Sequence, residues 1–286
     1  MKFVKMHGAG NDYVYVNCFT QPSPKHPAEV AIAISHRRFG VGADGLILVE
    51  PSEVADARMR MFNADGSESE MCGNGIRCVA KLVHDHGICR RDNLKIETGA
   101  GILSLDLKIM NGLAELITVD MGEPITAPER VPTTLATEPV VDLPVEFSGH
   151  KLSVTCVSMG NPHCVTFVPT ATDELVLGLG PKIENDPRFA RRTNVEFIEV
   201  LSRSELRQRT WERGSGETWA CGTGASAVCV AGVLTGRTER EVLIHLLGGD
   251  LRLRWDDATN HVFLTGGAVE VFAGEWRLGT MKSTSD

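Results

Sequence analysis

The sequence predicts an α+β protein with two pseudo-symmetric α/β domains that arose by internal duplication. The first observation is a repeat: Phe62–Gly87 reads FNADGSESEMCGNGIRCVAKLVHDHG, and Trp211–Gly236 reads WERGSGETWACGTGASAVCVAGVLTG. At an offset of 149 positions, Cys72 aligns with Cys221, and the Gly-x-Gly that follows each cysteine aligns as well. A long repeat that occurs only twice indicates two similar domains, because a solenoid needs at least three short units.

The match continues upstream at an offset of 150 positions, which is the second observation. Three pairs align in the same order: Gly10-Asn11 with Gly160-Asn161, Arg38-Phe39 with Arg188-Phe189, and Asp44 with Asn194. The third observation is that both halves have short strand patterns on either side of one helix pattern.

In the first half, apolar residues alternate or cluster in four short stretches that predict strands. These are Lys2–Met6, Tyr13–Asn17, Leu46–Val49 and Arg58–Phe62. A helix is predicted from Gly73 to His86, and Gly87 ends it, since glycine is common just beyond a helix C-terminus. Strand patterns follow at Leu94–Glu97, Ile102–Lys108 and Ala114–Asp120.

The second half has matching patterns. Strands are predicted at Leu152–Ser158, Cys164–Val168, Val195–Val200, Leu206–Trp211, Val242–Leu246, Leu251–Trp255 and His261–Leu264. A short helix is predicted to open near Gly180, with Pro181 in its first turn, and a longer helix runs from Gly222 to Leu234. The segment Gly122–Pro144 is rich in Pro and Thr, which predicts a connector with an edge strand.

These patterns divide the chain into two expected domains. The N-terminal domain, residues 1–122, carries Cys72, and the C-terminal segment 269–286 returns to complete it with a strand pattern at Val269–Leu278. The C-terminal domain, residues 123–268, carries Cys221. A chain of 286 residues is long enough to give each domain its own core.

Composition excludes several classes of function. The formal net charge is -8, whereas nucleic-acid binders and proteins that bind anionic membranes need clustered positive charge. No apolar stretch is long enough to span a bilayer, and the start MKFVKMHGAGNDY lacks the apolar centre of a secretion signal. The eight cysteines are therefore expected to be reduced thiols in the cytoplasm, and without a Cys-x-x-Cys pair a zinc site or redox pair is not expected.

Each repeat places a cysteine before a Gly-x-Gly turn and a helix, and this pattern indicates proton-transfer chemistry. The N–H groups and the dipole at a helix N-terminus bind an anion such as a carboxylate, and the same field is expected to lower the pKa of a thiol. If Cys72 and Cys221 face one carbon from opposite sides, one can remove a proton while the other returns one. The remaining cysteines lack this context and are expected to be inert: Cys18, Cys78, Cys89, Cys156, Cys164 and Cys229.

Several motifs, taken together and in order, resemble the diaminopimelate epimerase family. They are HGAGNDY, FNADGS, MCGNG, MGNPH and WERGSGETWACGTGA, and the resemblance extends from Met1 to about Leu278. It implies that each domain is a mixed or antiparallel sheet wrapped around a central helix, with the active site between the domains. It also implies a cofactor-independent isomerase that interconverts LL-diaminopimelate and meso-diaminopimelate in lysine and cell-wall precursor synthesis, and a homodimer that involves Phe272.

The resemblance also assigns roles to individual residues. Cys72 and Cys221 would be the catalytic acid/base pair, and His163 and Glu212 would tune the pKa values of the thiols. The residues expected to bind the substrate are Asn11, Asn63, Gly73, Asn74, Asn161, Asn194, Glu212, Arg213, Gly222 and Thr223. Arginine can bind a carboxylate with two parallel hydrogen bonds, and asparagine offers a zwitterion both a donor and an acceptor. No metal ligands are predicted.

One position departs from the family pattern. Some members bind substrate through a glutamine where this chain has Gly45, so one contact is expected to be missing or supplied differently. The same segment, Gly40-x-Gly42-x-x-Gly45, fits the dinucleotide-binding fingerprint. That motif follows a strand and opens a helix, whereas here the helix pattern Ala28–His36 precedes it and a strand pattern follows. A nucleotide site is therefore not expected.

Two alternatives remain open at the level of sequence. A proline or hydroxyproline racemase uses the same two-cysteine logic, although Glu212-Arg213 and the asparagines favour a substrate with a second charged end. A non-catalytic module that binds a carboxylate or a metal with the same turns is the other alternative. It predicts no exchange of the substrate α-proton and retained binding in Cys72→Ala.

Overall fold

The computed structural model describes residues 1–69, 73–135 and 137–277, and the chain forms two compact units. Unit 1 comprises Met1–Val119 and a segment that begins at Gly266, and unit 2 comprises Asp120–Thr265. Within the described ranges, none of the helices combines the length and apolar character needed to cross a membrane.

The N-terminal part of the chain contains β1 (Lys2–Gly8), β2 (Asn11–Asn17), α1 (Pro27–Ser35), β3 (Gly45–Glu50), β4 (Ala57–Asn63), β5 (Glu68–Ser69), α2 (Gly73–Asp85), β6 (Asn93–Thr98), β7 (Gly101–Met110) and β8 (Leu113–Asp120). Unit 2 then contains β9 (Leu143–Phe147), β10 (His150–Ser158), β11 (Pro162–Phe167), a π-helical turn (Glu174–Leu179), α3 (Gly180–Glu184), β12 (Asn194–Ser202), β13 (Glu205–Glu212), β14 (Gly216–Thr218), α4 (Gly222–Leu234), β15 (Glu241–Leu246), β16 (Gly249–Trp255) and β17 (Val262–Gly266). The last strand is β18 (Val269–Glu275).

The two units pair their strands in the same way. In unit 1, β1 pairs antiparallel with β2, β2 parallel with β3, and β3 antiparallel with β4. β4 then pairs antiparallel with β5 and parallel with β6. In unit 2, β10 to β15 repeat each of these steps. In both units another strand pairs with the outer edge of the first strand: β18 pairs with β1, and β9 pairs with β10. The predicted fold class, two pseudo-symmetric mixed sheets, is confirmed.

One long helix lies among the strands of each unit. α4 reads GTGASAVCVAGVL and has no polar face, and a helix of this composition is stable only when it is surrounded. It packs against β10, β11, β12, β15 and β16, while α2 packs against β1, β2, β4, β6 and β7. The prediction of a central helix in each sheet is confirmed, and the bounds predicted for α4 are the observed ones.

The strand registers correct one detail of the duplication. In unit 1, Tyr13 lies opposite Gly45, whereas in unit 2 His163, the counterpart of Tyr13, lies opposite Asn194. The counterpart of Asn194 is therefore Gly45, and the sequence pairing of Asn194 with Asp44 is wrong by one position. The cause is the connection between the second and third strands of the repeat, which is one residue shorter in unit 2.

Gly45 has no room for a side chain. A Cβ atom at this position would lie 2.2 Å from the carbonyl oxygen of Phe62 and 2.8 Å from Cε1 of Tyr13. A backbone carbonyl cannot move aside cheaply, so β3 and β4 approach each other closely only because residue 45 is glycine. The glutamine contact of some family members has no equivalent at this position here.

Most other predicted elements are present, with three differences. The short strands β5 and β14 were not predicted, because two or three residues are too few to show alternation. The π-helical turn before α3 was not predicted either. The edge strand expected within Gly122–Pro144 begins only at Leu143, and earlier in the connector Ile125 and Thr133 form isolated bridges. The glycine-rich segment does follow α1 and precede β3, which confirms that its context is not that of a dinucleotide site.

Candidate active site

Cys221 lies at the first turn of α4 and is its N-cap residue. Its backbone is extended, with φ −122° and ψ 108°, and its Sγ accepts a hydrogen bond from the N–H of Gly224 at 3.3 Å. The hydroxyl of Thr223 lies 3.4 Å from the same Sγ. The residue is only 5% exposed. The predicted placement of a thiol at the N-terminus of the central helix is therefore present in unit 2.

The expected lowering of the thiol pKa is wrong for Cys221. Burial raises the pKa of this thiol well above its usual range, and the negative charges of Glu212 and Glu196 raise it further. The hydrogen bonds from Thr223 and Gly224 act in the opposite direction but do not outweigh these effects. The raised pKa favours the thiol form of Cys221, which is the form that a proton donor needs.

A chain of hydrogen bonds, buried at the His163–Glu196 end and partly buried beyond it, leads from β11 and β12 to the start of α4. His163 Nδ1 lies 2.7 Å from Oε1 of Glu196, and His163 Nε2 lies 3.0 Å from Oδ1 of Asn161. Asn161 Nδ2 donates to Oγ1 of Thr223 at 3.2 Å. Since both ring nitrogens of His163 face oxygen acceptors, an imidazolium can donate to both of them at once.

The ligand atoms of His163, Glu196 and Cys221 lie within 4.8 Å of one another. A zinc ion that binds nitrogen and oxygen at about 2.0–2.1 Å with tetrahedral angles would hold these two atoms roughly 3.3 Å apart. The observed separation of 2.7 Å between His163 and Glu196 is instead that of a hydrogen bond. The arrangement therefore fits a hydrogen bond between His163 and Glu196 better than a metal ion held by both.

Glu212 is the last residue of β13, beside this cluster, and Arg213 follows it. Burial raises the pKa of the Glu212 carboxyl, and hydrogen bonds from Thr218 and Cys221 and the charge of His163 partly oppose that effect. Arg213 is held by its neighbours, because its N–H donates to Oδ1 of Asn194 at 2.9 Å. Its guanidinium also donates to the carbonyl of Arg191 at 2.9 Å.

Asn194 is buried, and both ends of its amide contact backbone groups. Its Oδ1 accepts from the N–H of Arg213, and its Nδ2 donates to the carbonyl of Pro162 at 3.0 Å. In this structure Asn194 therefore fixes the position of Arg213 and of the first residue of β11. The predicted substrate contact remains a prediction.

In unit 1 the predicted site residues lie at the matching turns. Asn11 Nδ2 donates to Oδ2 of Asp44 at 2.6 Å, and Asn63 Nδ2 donates to Oγ of Ser67 at 2.9 Å. The side chain of Asn74 is buried in the first turn of α2, where Gly73 opens the helix. Cys72 lies outside the described residues, so the structure bears directly only on the second thiol.

The structure therefore brings together, in unit 2, most of the residues predicted there, and it adds Glu196. Glu196 cannot be recognised as a site residue from local sequence, because a glutamate in NVEFIEV fits the exposed face of an ordinary strand. The comparison of Glu196 with the residue at the equivalent position of unit 1 is a signal that could have identified it. Two residues after Gly45, unit 1 has the buried Ile47, whereas two residues after Asn194, unit 2 has Glu196.

Known proteins resemble this chain over nearly its full length. The family described as "Diaminopimelate epimerase" matches residues 3–127 and 155–271. A diaminopimelate epimerase of Acetivibrio thermocellus is 54% identical over 275 residues, which cover 96% of this chain and 98% of that protein. One of Moorella thermoacetica is 54% identical over 278 residues, which cover 97% and 100%.

Solved structures share the fold at low sequence identity. A probable proline racemase from Agrobacterium radiobacter superposes with a TM-score of 0.70 at 15% identity, covering 99% of this chain and 94% of that one. A hydroxyproline epimerase from Agrobacterium vitis superposes with a TM-score of 0.67 at 16% identity, covering 96% and 91%. These two show the fold alone. The sequence matches are far closer, and by them the chain belongs to the diaminopimelate epimerase family.

Proposed function

We propose that this chain interconverts LL-diaminopimelate and meso-diaminopimelate without a cofactor, and that one of Cys72 and Cys221 removes the α-proton while the other donates its own proton to the opposite face. The family membership supports the substrate and the place in lysine biosynthesis. The observation that carries the mechanism is the setting of Cys221, a thiol of raised pKa at the N-terminus of the central helix beside buried His163 and Glu212.

The proposed reaction balances protons as follows. One cysteine, as thiolate, takes the α-proton, and the electron pair of the broken C–H bond delocalises into the α-carboxylate. The other cysteine, as thiol, gives its proton to the opposite face of the carbon, so the two sulfurs exchange roles in each turnover. We assign the donor role to Cys221 when Cys72 is the base, because burial and the nearby carboxylates raise the pKa of Cys221 and so favour its thiol form.

The charge on the carboxylate has a suitable partner in α4. The first four N–H groups of a helix have no acceptor within the helix, and the dipole adds a positive field. The amides of Gly222 and Thr223 stand beside the Cys221 thiol, so they can stabilise the carboxylate where negative charge develops. We propose the same role for Gly73 and Asn74 at the start of α2.

The second charged end of the substrate requires further groups. We propose that Arg213 binds the distal carboxylate, because its backbone is fixed by Asn194 and a guanidinium can bind with two hydrogen bonds. Asn11, Asn63 and Asn161 would contact the ammonium and carboxylate groups, together with Asn194 and Glu212. This set favours diaminopimelate over proline, which has no second charged end.

The direct test is exchange of the α-proton into deuterated water. The enzyme is expected to incorporate deuterium at the α-carbon of diaminopimelate and to form the other stereoisomer, as followed by NMR and chiral chromatography. Proline at the same concentration is the comparison substrate and is expected to show no exchange. Exchange of proline but not of diaminopimelate would favour the racemase alternative, and binding of diaminopimelate without exchange would favour the non-catalytic module.

We also propose that the chain acts as a cytoplasmic homodimer that uses β18. Within the described residues this strand pairs only with β1, and Val269, Val271 and Phe272 are 47%, 53% and 47% exposed. An apolar strand with a free edge favours association with a second chain. The described cysteines are all free thiols, which agrees with a reducing compartment.

Replacing Phe272 with aspartate is expected to shift the protein from dimer to monomer, because a charge would be desolvated at the proposed interface. Light scattering after size exclusion would then give a mass near the 31.0 kDa of one chain. Phe39→Asp is the matched control, since Phe39 is 84% exposed in the same unit but lies away from β18. An unchanged dimer in Phe272→Asp, or a monomeric wild type, would contradict the proposal.

A further inference from the structure

Glu196 is a carboxylate in an unusual position. It lies on β12 between Val195 and Phe197, and its side chain is completely buried. Oε1 contacts Nδ1 of His163 at 2.7 Å, whereas Oε2 is buried with no hydrogen-bond partner among the described residues. A buried, partly satisfied carboxylate costs stability, and such groups are found mainly where they perturb a functional neighbour.

The carboxylate of Glu196 faces the first turn of α4. A Cβ atom added at Gly224 would lie 2.7 Å from Oε1 of Glu196 and 3.2 Å from Sγ of Cys221. The glycine at position 224 therefore leaves the space in which this carboxylate and the thiol approach each other. Ionisable atoms of Glu196, Cys221 and His163 all lie within 4.8 Å of one another.

The duplication shows that this charge belongs to one unit only. The strand registers align Glu196 with Ile47 of unit 1. They also align Glu212 with Asn63, because Asn63 pairs with Gly45 and Glu212 lies one position beyond the Val195–Trp211 pair. Two carboxylates in unit 2 thus replace two groups of unit 1 that cannot ionise. The two central helices are alike, but the residues around their first turns differ in charge.

We propose that Glu196 is a positioning residue for epimerisation, which acts through this buried cluster so that Cys221 keeps its proton while Cys72 loses its own. The inference rests on the proposed function, because it concerns the two thiols of that reaction. A two-base epimerase is active only when one sulfur is a thiol and the other a thiolate. Unequal surroundings separate the pKa values of the two thiols, and this widens the pH range in which one sulfur is a thiol and the other a thiolate.

The charged and titratable groups around Glu196 come from three elements. His163 and Cys164 lie on β11, Glu212 lies on β13, and Cys221 lies at the start of α4. The charge of Glu196 raises the pKa values of Cys164, Glu212 and Cys221. Burial is the largest cause of the raised pKa of Cys221, followed by the charges of Glu212 and Glu196. Neutralising Glu196 therefore lowers the pKa of Cys221, and its thiolate forms at lower pH.

The test is the substitution Glu196→Gln, which keeps the shape and an acceptor for His163 but removes the charge. The rate at which iodoacetamide alkylates Cys221 is measured against pH by mass spectrometry of the peptide that contains it. The midpoint is expected to fall by about one pH unit or more. The alkaline limb of kcat/KM is expected to move in the same direction, because activity in this limb is lost when Cys221 loses its proton.

Glu199→Gln is the matched control. Glu199 lies on the same strand but contacts Arg207 at 2.7 Å and the N–H of Ala171 at 2.9 Å, and it faces the opposite side of the sheet from Glu196. Its removal is expected to leave the Cys221 midpoint unchanged. Cys229 in the same helix is an internal reference, since burial raises the pKa of its thiol to about 12 without a contribution from Glu196, so its alkylation rate should be the same in Glu196→Gln as in the wild type.

Two results would overturn the inference. One is a midpoint for Cys221 alkylation in Glu196→Gln that equals that of the wild type. If Glu196→Gln does not fold, Glu196→Ile, which introduces the residue found in unit 1, removes the charge instead. The other is a wild-type protein in which Cys72 reacts at the same pH as Cys221 or at higher pH. Neither measurement needs turnover, so a failure of the proposed function, seen as no α-proton exchange with diaminopimelate, is recognised separately.

Discussion

Replacement of Cys221 by serine is expected to lower kcat for epimerisation by about 10²–10⁴-fold, the usual contribution of a positioned acid or base. A serine hydroxyl can still accept the hydrogen bond that the Gly224 N–H makes at 3.3 Å with Sγ, so α4 keeps its N-cap. The hydroxyl is a much weaker acid than the thiol, so it can neither donate the proton nor carry the negative charge afterwards. The same loss of kcat is expected for Cys72→Ser, because Cys72 is the counterpart of Cys221 in the repeat.

Cys229→Ala provides the matched control for Cys221→Ser. Cys229 lies in the same helix, is fully buried and belongs to the apolar core of unit 2. Its loss should lower the melting temperature slightly and leave kcat within about twofold, because alanine removes one sulfur from the core without touching the site. Activity of Cys221→Ser near the wild-type value, with the fold verified by circular dichroism, would rule out the two-cysteine mechanism.

The duplication made most of the fold predictable, because each half supports the reading of the other. The pattern of strands around one helix appears twice, and α4 was located to the residue because its glycine turn and apolar sequence mark both ends. The alignment failed by one position at Asn194, where a connection differs in length by one residue. Strand registers depend on hydrogen bonds between distant segments, and sequence identity alone does not report a deletion inside a loop.

The site was less predictable, for a physical reason. The expectation of a lowered pKa for Cys221 used only local information, the turn and the helix dipole. The effects that raise the pKa of this thiol are its burial and the charges of Glu212 and Glu196, which come from β13 and β12. Burial and the charges of groups on other strands therefore set the pKa of this thiol, and both can be seen only once the strands are paired.

Arg77 carries the second large expected effect, this time on stability. Its side chain is completely buried in α2, where it donates to the carbonyl of Gly73 at 3.0 Å, to Oδ1 of Asn74 at 2.9 Å and to the carbonyl of Gly267 at 3.3 Å. Arg77→Met retains much of the volume but leaves these three oxygens without that donor. Each buried acceptor that loses its hydrogen bond costs about 1–3 kcal/mol, so the free energy of unfolding is expected to fall by about 3 kcal/mol or more.

The same substitution is expected to weaken substrate binding. Two of the three acceptors belong to Gly73 and Asn74, the proposed carboxylate cradle of unit 1, and the positive charge of Arg77 adds to the dipole at the start of α2. We therefore expect KM for diaminopimelate to rise in Arg77→Met, under conditions in which the variant remains folded. Urea unfolding gives the stability change from the midpoint if the m value stays constant.

Ser226→Ala is the matched control for Arg77→Met, because Ser226 is the counterpart of Arg77 in α4. Its hydroxyl donates to the carbonyl of Gly222 at 2.9 Å, just as Arg77 donates to the carbonyl of Gly73 in α2. Here only one neutral hydrogen bond is lost, so the expected cost is about 1 kcal/mol. An equal, small loss in the free energy of unfolding in both variants would contradict this prediction. Arg77 would then contribute only a hydrogen bond to the first turn of its own helix, and its buried charge would not organise the site in unit 1.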